Sequence, residues 1–352
     1  MFTKPTVFVL GAGVSVPFGF PSGDKLLQIL SGKVNTKTDS NWQETLRLHE
    51  KVVQLLKAIP EHPNSTLDSD MVDRFVTSLK AADPPSIDTW LTHHKEYNEL
   101  GKVAIATIIS HFEAKSKSDA YESDDWFKWI FHAMCKNVRT IAGFDGNKIT
   151  FITFNYDRLL EWKLEKQIRN FFGDDSKRKD NAVKVIFSKI FHVHGELGLK
   201  NCGKMPDNYG QISLNKIGQG MQNQEQLLRT FGEIAQAHSK SIRIIGEGTN
   251  NRSEIHPDVK HHLEQAEKIV FLGFGYDEDN LELLQLQGKA ETVKTLGMAT
   301  EDIDFPIVGT GYLLANGQRR DAIAELNGKL RIGSKELTCV PFCNEWVSVK
   351  SL

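Results

Sequence analysis

Only four cysteines occur in the 352 residues, Cys135, Cys202, Cys339 and Cys343, and none forms a Cys-x-x-Cys pair. Their scarcity excludes a disulfide framework, and with no secretory leader at the start it predicts reduced thiols in a cytoplasmic protein. No apolar run approaches the roughly 20 residues needed to span a bilayer, so no membrane association is expected. An excess of one charge is missing too. Lys+Arg number 43 against Asp+Glu 45, a formal net charge of -2, which offers no field to gather phosphates and makes direct nucleic-acid binding unexpected. No linker rich in Pro, Gly or Ser, no internal repeat and no low-complexity tract divides the chain. One domain over 1–352 is therefore expected, long enough to bury a core without a metal or disulfide staple.

What the chain does contain is an alternation of short apolar runs with helical patterns. Thr6 to Leu10 reads as a buried strand entering a glycine turn, and a helix is expected near Asp24 with Ser22 or Asp24 as N-cap. Further strands are expected at Ile149 to Phe154, through Val183, Ile186, Ile190 and Val193 up to His194, at Ile242 to Ile245, at Ile269 to Phe274 and at Phe305 to Val308. The charged stretch from Gly173 to Asn181 reads as a solvated loop. Residues 31–146 show only helical spacing, as in Ile105, Ile108, Ile109 and Phe112, and form an inserted helical subdomain. The fold class is α/β: a Rossmann-like, doubly wound, mostly parallel sheet carrying that insertion.

In such sheets ligands bind beyond the carboxyl ends of the strands, where loops converge and helix N-termini offer N–H groups to anions. The polar and glycine residues of this chain fall at those ends. Gly11, Ala12, Gly13 and Ser15 follow the first strand, Asn155 and Asp157 the second, His194 the third, and Gly273, Phe274 and Gly275 a later one. A G-x-G turn by itself serves packing as readily as phosphate binding. Val16 stands where a dinucleotide fingerprint has its third glycine, and no isolated acidic residue follows about 20 residues on, so hydride transfer is not expected.

Taken in order, these segments resemble the sirtuins. GAGVSVPFGFP (11–21) resembles the sirtuin GAG-x-S loop, TFNYD (153–157) the T-Q-N-I-D motif, HVHG (192–195) the catalytic His-Gly, and FLGFGYD (271–277) the late glycine loop that contacts the cofactor. Two departures limit the resemblance. Sirtuin deacylases carry two cysteine pairs between the His-Gly motif and the late glycine loop, whereas only Cys202 lies in that interval here. His238, His256, His261 and His262 lack the paired spacing of a zinc module, so no metal is expected. Ser22, Gly23 and Asp24 also stand where sirtuins have Asp-Phe-Arg. The chain is thus most similar to the sirtuin-like NAD hydrolases of bacterial antiphage defence, which lack the zinc ribbon.

That resemblance implies NAD as substrate, Gly11, Ala12, Gly13, Ser15, Asp157, Gly273, Phe274 and Gly275 as its binding residues, and Asn155 and His194 as the catalytic pair. The side chains suit cleavage of the nicotinamide–ribose bond. An amide donates and accepts at once, and an imidazole takes a proton at neutral pH. Asp157 either bonds the nicotinamide carboxamide, as its family counterpart does, or caps the helix beginning at Arg158 and Leu159. His192, two residues before His194, suggests a metal pair for which no third ligand is apparent. Asp277, Asp279 and Asn280 are expected to cap the helix at Leu281, Leu283 and Leu284 rather than reach a ribose. Gly309, Thr310 and Gly311 form either a plain turn or part of the adenosine site. Two other functions fit the motifs: an NAD-dependent deacylase or ADP-ribosyltransferase, and a sensor that binds NAD or ADP-ribose without turnover. Unrestrained NAD hydrolysis would harm the host, so gating is expected. Homo-oligomerisation, or a partner ATPase, Argonaute-like protein or phage-sensing protein, would supply it.

Overall fold

A computed structural model describes residues 1–37, 39–59, 69–116, 125–173, 176–198, 209–218, 223–244, 256–286, 306–326 and 328–347. Strand β1 (Thr6–Leu10) is flanked by β2 (Ile149–Thr153) and β3 (Ile190–His192) on one side. On the other side lie β4 (Lys268–Leu272), β5 (Ile307–Gly309) and β6 (Leu330–Ile332). Every pairing is parallel, in the order β3-β2-β1-β4-β5-β6. The chain therefore works outward from β1 in one direction, then returns and works outward in the other. The reversal places a crevice between β1 and β4 at their carboxyl ends. Leu10 is in register with both Thr153 and Leu272, so the loops starting at Gly11, Phe154 and Gly273 leave the sheet at one level.

The strands are buried on both faces, as their unbroken apolar runs require. Phe8 and Leu10 point into one core with Phe151 and Leu272, whereas Val7 and Val9 point into another with Ile152 and Phe271. The first and larger core takes in the helices between β1 and β2: α1 (Gly23–Ser31), α2 (Trp42–Lys57), α3 (Ser69–Ala82), α4 (Ile87–His93), α5 (Asn98–Ser116), α6 (Trp126–Cys135) and α7 (Ile141–Phe144). It continues through α8 (Leu159–Phe171), α9 (Ser176–Phe187) and α10 (Gln224–Ser239). The opposite face is covered by α11 (Pro257–Gln265), α12 (Glu278–Leu284) and α13 (Asn316–Glu325), while α14 (Cys339–Trp346) rejoins the larger core. Residues 31–146 thus contain helices and no strand among the described residues, and their apolar faces merge with the sheet core. Helix α5 is more deeply set than its stripe suggested, being buried all round from Leu100 to Glu113.

Several strand and loop expectations need correction. The charged run after Gly173 is the first turn of α9; its Lys and Arg residues take the solvent side while Val183 and Ile186 pack inward. Strand β3 is accordingly short and stops at His192, so His194 lies beyond it. Residues 242–244 form no strand, although Ile242 and Ile244 are buried and Arg243 N donates to His194 O at 2.8 Å; Ile245 lies outside the described residues, as does Phe305. Strand β6 was not anticipated. Cys339 and Cys343 are buried free thiols and Cys135 is a half-buried one, whereas Cys202 lies outside the described residues. No helix among the described residues is long and apolar enough to cross a membrane.

Candidate functional site

A cavity of about 440 Å³ opens at the crevice between β1 and β4. Gly11, Ala12, Gly13, Asn155, Asp157, His194, Gly273, Phe274 and Gly275 all line it. Ser15 is set one layer beneath. The insertion supplies further wall: Ser22, Gly23 and Asp24 at the start of α1, and Ser86 to Thr89 at the start of α4. Both helix starts are built by serine N-caps, Ser22 Oγ accepting from Lys25 N and Ser86 Oγ from Thr89 N.

The two glycine loops lie backbone against backbone. Gly11 N donates to Leu272 O at 3.0 Å and Gly13 N to Gly273 O at 2.9 Å. A Cβ on Gly11 would sit 2.5 Å from Gly273 O, and one on Gly13 2.8 Å from Gly273 Cα, while Gly273 itself has φ of 56°. These three glycines are thus fixed by loop packing. Gly275 differs, since nothing lies within 4 Å of the position of its Cβ. Trp126 Nε1 donates to Val14 O at 2.7 Å and Thr310 Oγ1 accepts from Gly273 N at 2.9 Å, so each loop is also braced from behind. Thr310 serves as that brace and does not line the cavity. The N–H groups of Ala12, Gly23, Asp24, Phe274 and Gly275 make no hydrogen bond among the described residues. A cavity rimmed by unbonded amides suits an anionic group.

Asn155 sits at the turn after β2. Its Nδ2 donates to Gly11 O and to Ser15 Oγ, each at 3.2 Å. A carbonyl can only accept, so the Gly11 contact fixes which end of the amide faces the protein. Oδ1 is left as an acceptor with no partner among the described residues. Ser15 Oγ donates in turn to Asp157 Oδ2 at 3.0 Å, and Asp157 Oδ1 accepts from Leu159 N at 3.1 Å. Asp157 therefore caps the start of α8 while also lining the cavity. Burial pushes its carboxyl up to about 6, against the hydrogen bonds from Leu159 and Ser15.

His194 is buried, its ring edge-on to Phe154 at 5.4 Å between centroids and 6.2 Å from that of Tyr156. Its Nε2 meets Asn280 Oδ1 at 3.3 Å. With that oxygen as acceptor, Nε2 carries the proton and Nδ1, which has no partner among the described residues, is the basic atom. Asn280 was expected to act only as a helix-capping residue. Asp277 does the capping, its Oδ1 accepting from Asn280 N at 3.4 Å, and this turns the Asn280 side chain toward His194.

His192 faces a different neighbourhood. Its Nδ1 donates to Asn155 O at 2.9 Å, and its Nε2 lies 2.8 Å from Glu161 Oε1 and 3.8 Å from Glu196 Oε2. Burial disfavours the charged ring, but Glu161 and Glu196 outweigh it and push the imidazole up to about 9. The expectation that His192 lacks further ligands is corrected, since His192, Glu161 and Glu196 each place one ligand atom within 4.8 Å of the others. None of the three lines the cavity. An imidazolium between two carboxylates accounts for the arrangement. Alongside it, Arg158 Nε and Nη2 grip Glu113 at 3.0 and 2.6 Å, tying α5 to the turn that carries Asn155.

Two further cavity residues were missed. Tyr156 OH donates to Asp88 Oδ1, joining the Asn155 turn to α4. No spacing rule links Asp88 to Tyr156; the only cue was the Pro-Pro-Ser break before Ile87, which marks a helix start. No protein-family model matches the chain, and no curated protein matches it.

Proposed function

We propose that the cavity binds NAD and that Asn155 and His194 hydrolyse its nicotinamide–ribose bond, releasing nicotinamide and ADP-ribose. The observation that carries this reading is that Asn155 and His194, whose Oδ1 and Nδ1 have no partner among the described residues, line one cavity together with five residues whose backbone N–H groups are unbonded among the described residues. The amides suit a diphosphate and the acceptors suit a water. Water oriented by Asn155 Oδ1 attacks the ribose C1′ while its proton passes to His194 Nδ1. The bond electrons leave with nicotinamide, which becomes neutral. Asn280 Oδ1 supports the imidazolium formed, and the proton then goes to solvent. Burial of both side chains limits access of bulk water to the oxocarbenium-like transition state. The motif resemblance supports an effector of antiphage defence that depletes NAD when switched on by self-association or a partner.

The test is chromatography of NAD after incubation with the protein, alone and self-associated. Equal amounts of nicotinamide and ADP-ribose are expected, unchanged by adding an acyl-lysine peptide. Asn155→Ala and His194→Ala should each lower the rate by roughly 10²- to 10⁴-fold. Undiminished turnover in the double variant, or release that needs the peptide, would overturn the reading.

A further inference from the structure

The cavity has an unusual charge inventory. Among the described residues its titratable lining side chains are Asp24, Asp88, Tyr156, Asp157, Asp277 and His194, with no lysine or arginine. Three of the four carboxylates have evident other duties. Asp157 accepts from Leu159 N and Ser15 Oγ, Asp277 caps α12, and Asp24 is an exposed residue in the first turn of α1. Asp88 is different. It is half-buried on α4, and the phenol of the buried Tyr156 donates to its Oδ1. Tyr156 directly follows Asn155, and its ring lies 6.2 Å from that of His194. One side chain thus anchors a carboxylate beside the pair assigned to the reaction.

The geometry points to Asp88 as the residue that selects a cationic pyridinium ring, and so the oxidised over the reduced dinucleotide. The inference rests on the nucleotide reading above. The nicotinamide ring carries a positive charge only in the oxidised cofactor, and a fixed carboxylate with no lysine or arginine beside it among the described lining residues favours that form. The attraction vanishes when the bond breaks and nicotinamide departs neutral, which also eases its release. Asp88 strengthens ground-state binding and is a specificity-determining residue, not a catalytic one. It belongs to the insertion, so the element that roofs the cavity would also choose the redox state of its occupant.

Asp88→Asn keeps an oxygen for Tyr156 and removes the charge. Calorimetric titration would use a carbocyclic NAD analogue, which retains the pyridinium but cannot be cleaved, its neutral reduced counterpart, and ADP-ribose. The wild-type protein should bind the oxidised analogue on the order of tenfold more tightly than the reduced one. In Asp88→Asn that ratio should fall to about one, with ADP-ribose affinity unchanged. An unaltered ratio in the variant, or no preference in the wild type, overturns the inference while leaving NAD binding intact. A parallel loss of ADP-ribose affinity overturns it as well, by showing a general distortion. If the wild type binds none of the three, the nucleotide reading itself falls.

Discussion

His192 and His194 stand two residues apart at the end of one strand, yet the layers they join treat polar atoms in opposite ways. Beneath the cavity, His192 bonds Asn155 O and Glu161 Oε1 beside Glu196, and Ser15 Oγ links Asn155 Nδ2 to Asp157 at the cavity wall. On the cavity side, Asn155 Oδ1 and His194 Nδ1 are acceptors without partners among the described residues. The inner layer spends its hydrogen bonds on holding the Asn155 turn. The outer layer keeps its own available. Because β3 ends at His192, the two-residue period that would aim both rings the same way no longer applies.

The sharpest break of this contrast is to remove each ring in turn. His192→Ala should cost about 3–5 kcal/mol in a denaturant titration, because the buried Glu161 loses its 2.8 Å imidazolium partner and the half-buried Glu196 a nearby positive charge. His194→Ala should cost about 1 kcal/mol or less, its loss appearing in nicotinamide release instead. Equal destabilisation by both would erase the distinction between the layers.

The inner layer should also show itself in pH. With the His192 imidazole raised from 6.5 to about 9, its contribution is fully present below pH 6.5 and is lost as pH rises through 9. Unfolding free energy should fall by on the order of 3 kcal/mol across that window, and His192→Gln should flatten the fall. A wild-type profile as flat as the variant's would refute the charged ring.

Among the glycines the same division predicts a smaller effect. Gly13→Ala drives a Cβ onto the Gly273 backbone and should cost about 2–3 kcal/mol, whereas Gly275→Ala should stay within about 0.5 kcal/mol of wild type while weakening nucleotide binding. Thermal melts with and without ADP-ribose separate the two outcomes. Asp157 offers the mildest probe. Its raised pKa means stability present below about 3.8 and lost as pH climbs through 6, so Asp157→Asn should gain about 1–2 kcal/mol at pH 8. Activity retained in that variant would identify Asp157 as a cap alone.

The sheet and the strand-end positions were legible because both rest on local patterns. Thr6 to Leu10 and Ile149 to Thr153 are unbroken apolar runs, and each of the polar residues singled out after them lies at the crevice or directly beneath it. The misreadings share a cause. In α9 the charged first turn hid an amphipathic helix, β6 is three residues with Arg331 exposed between two buried neighbours, and Ile242 and Ile244 are buried in a segment that is not a strand among the described residues. Burial pattern was readable in each case, but the choice of neighbour was not. The same holds within the cavity. Asn280 and Asp88 acquire their roles from His194 and Tyr156, contacts that no spacing along the chain encodes.

The embrace of the two glycine loops sets an order of events during synthesis. Gly11 and Gly13 leave the ribosome well before Gly273, the backbone they must pack against, with the whole insertion and β2 and β3 between them. Strand β1 likewise waits for β2 beyond the whole insertion and for β4 later still. Contacts so distant in sequence form late and slowly. The cavity therefore cannot assemble until the chain through Gly273 has been made, and a nascent polypeptide short of that point holds only one of the two glycine loops.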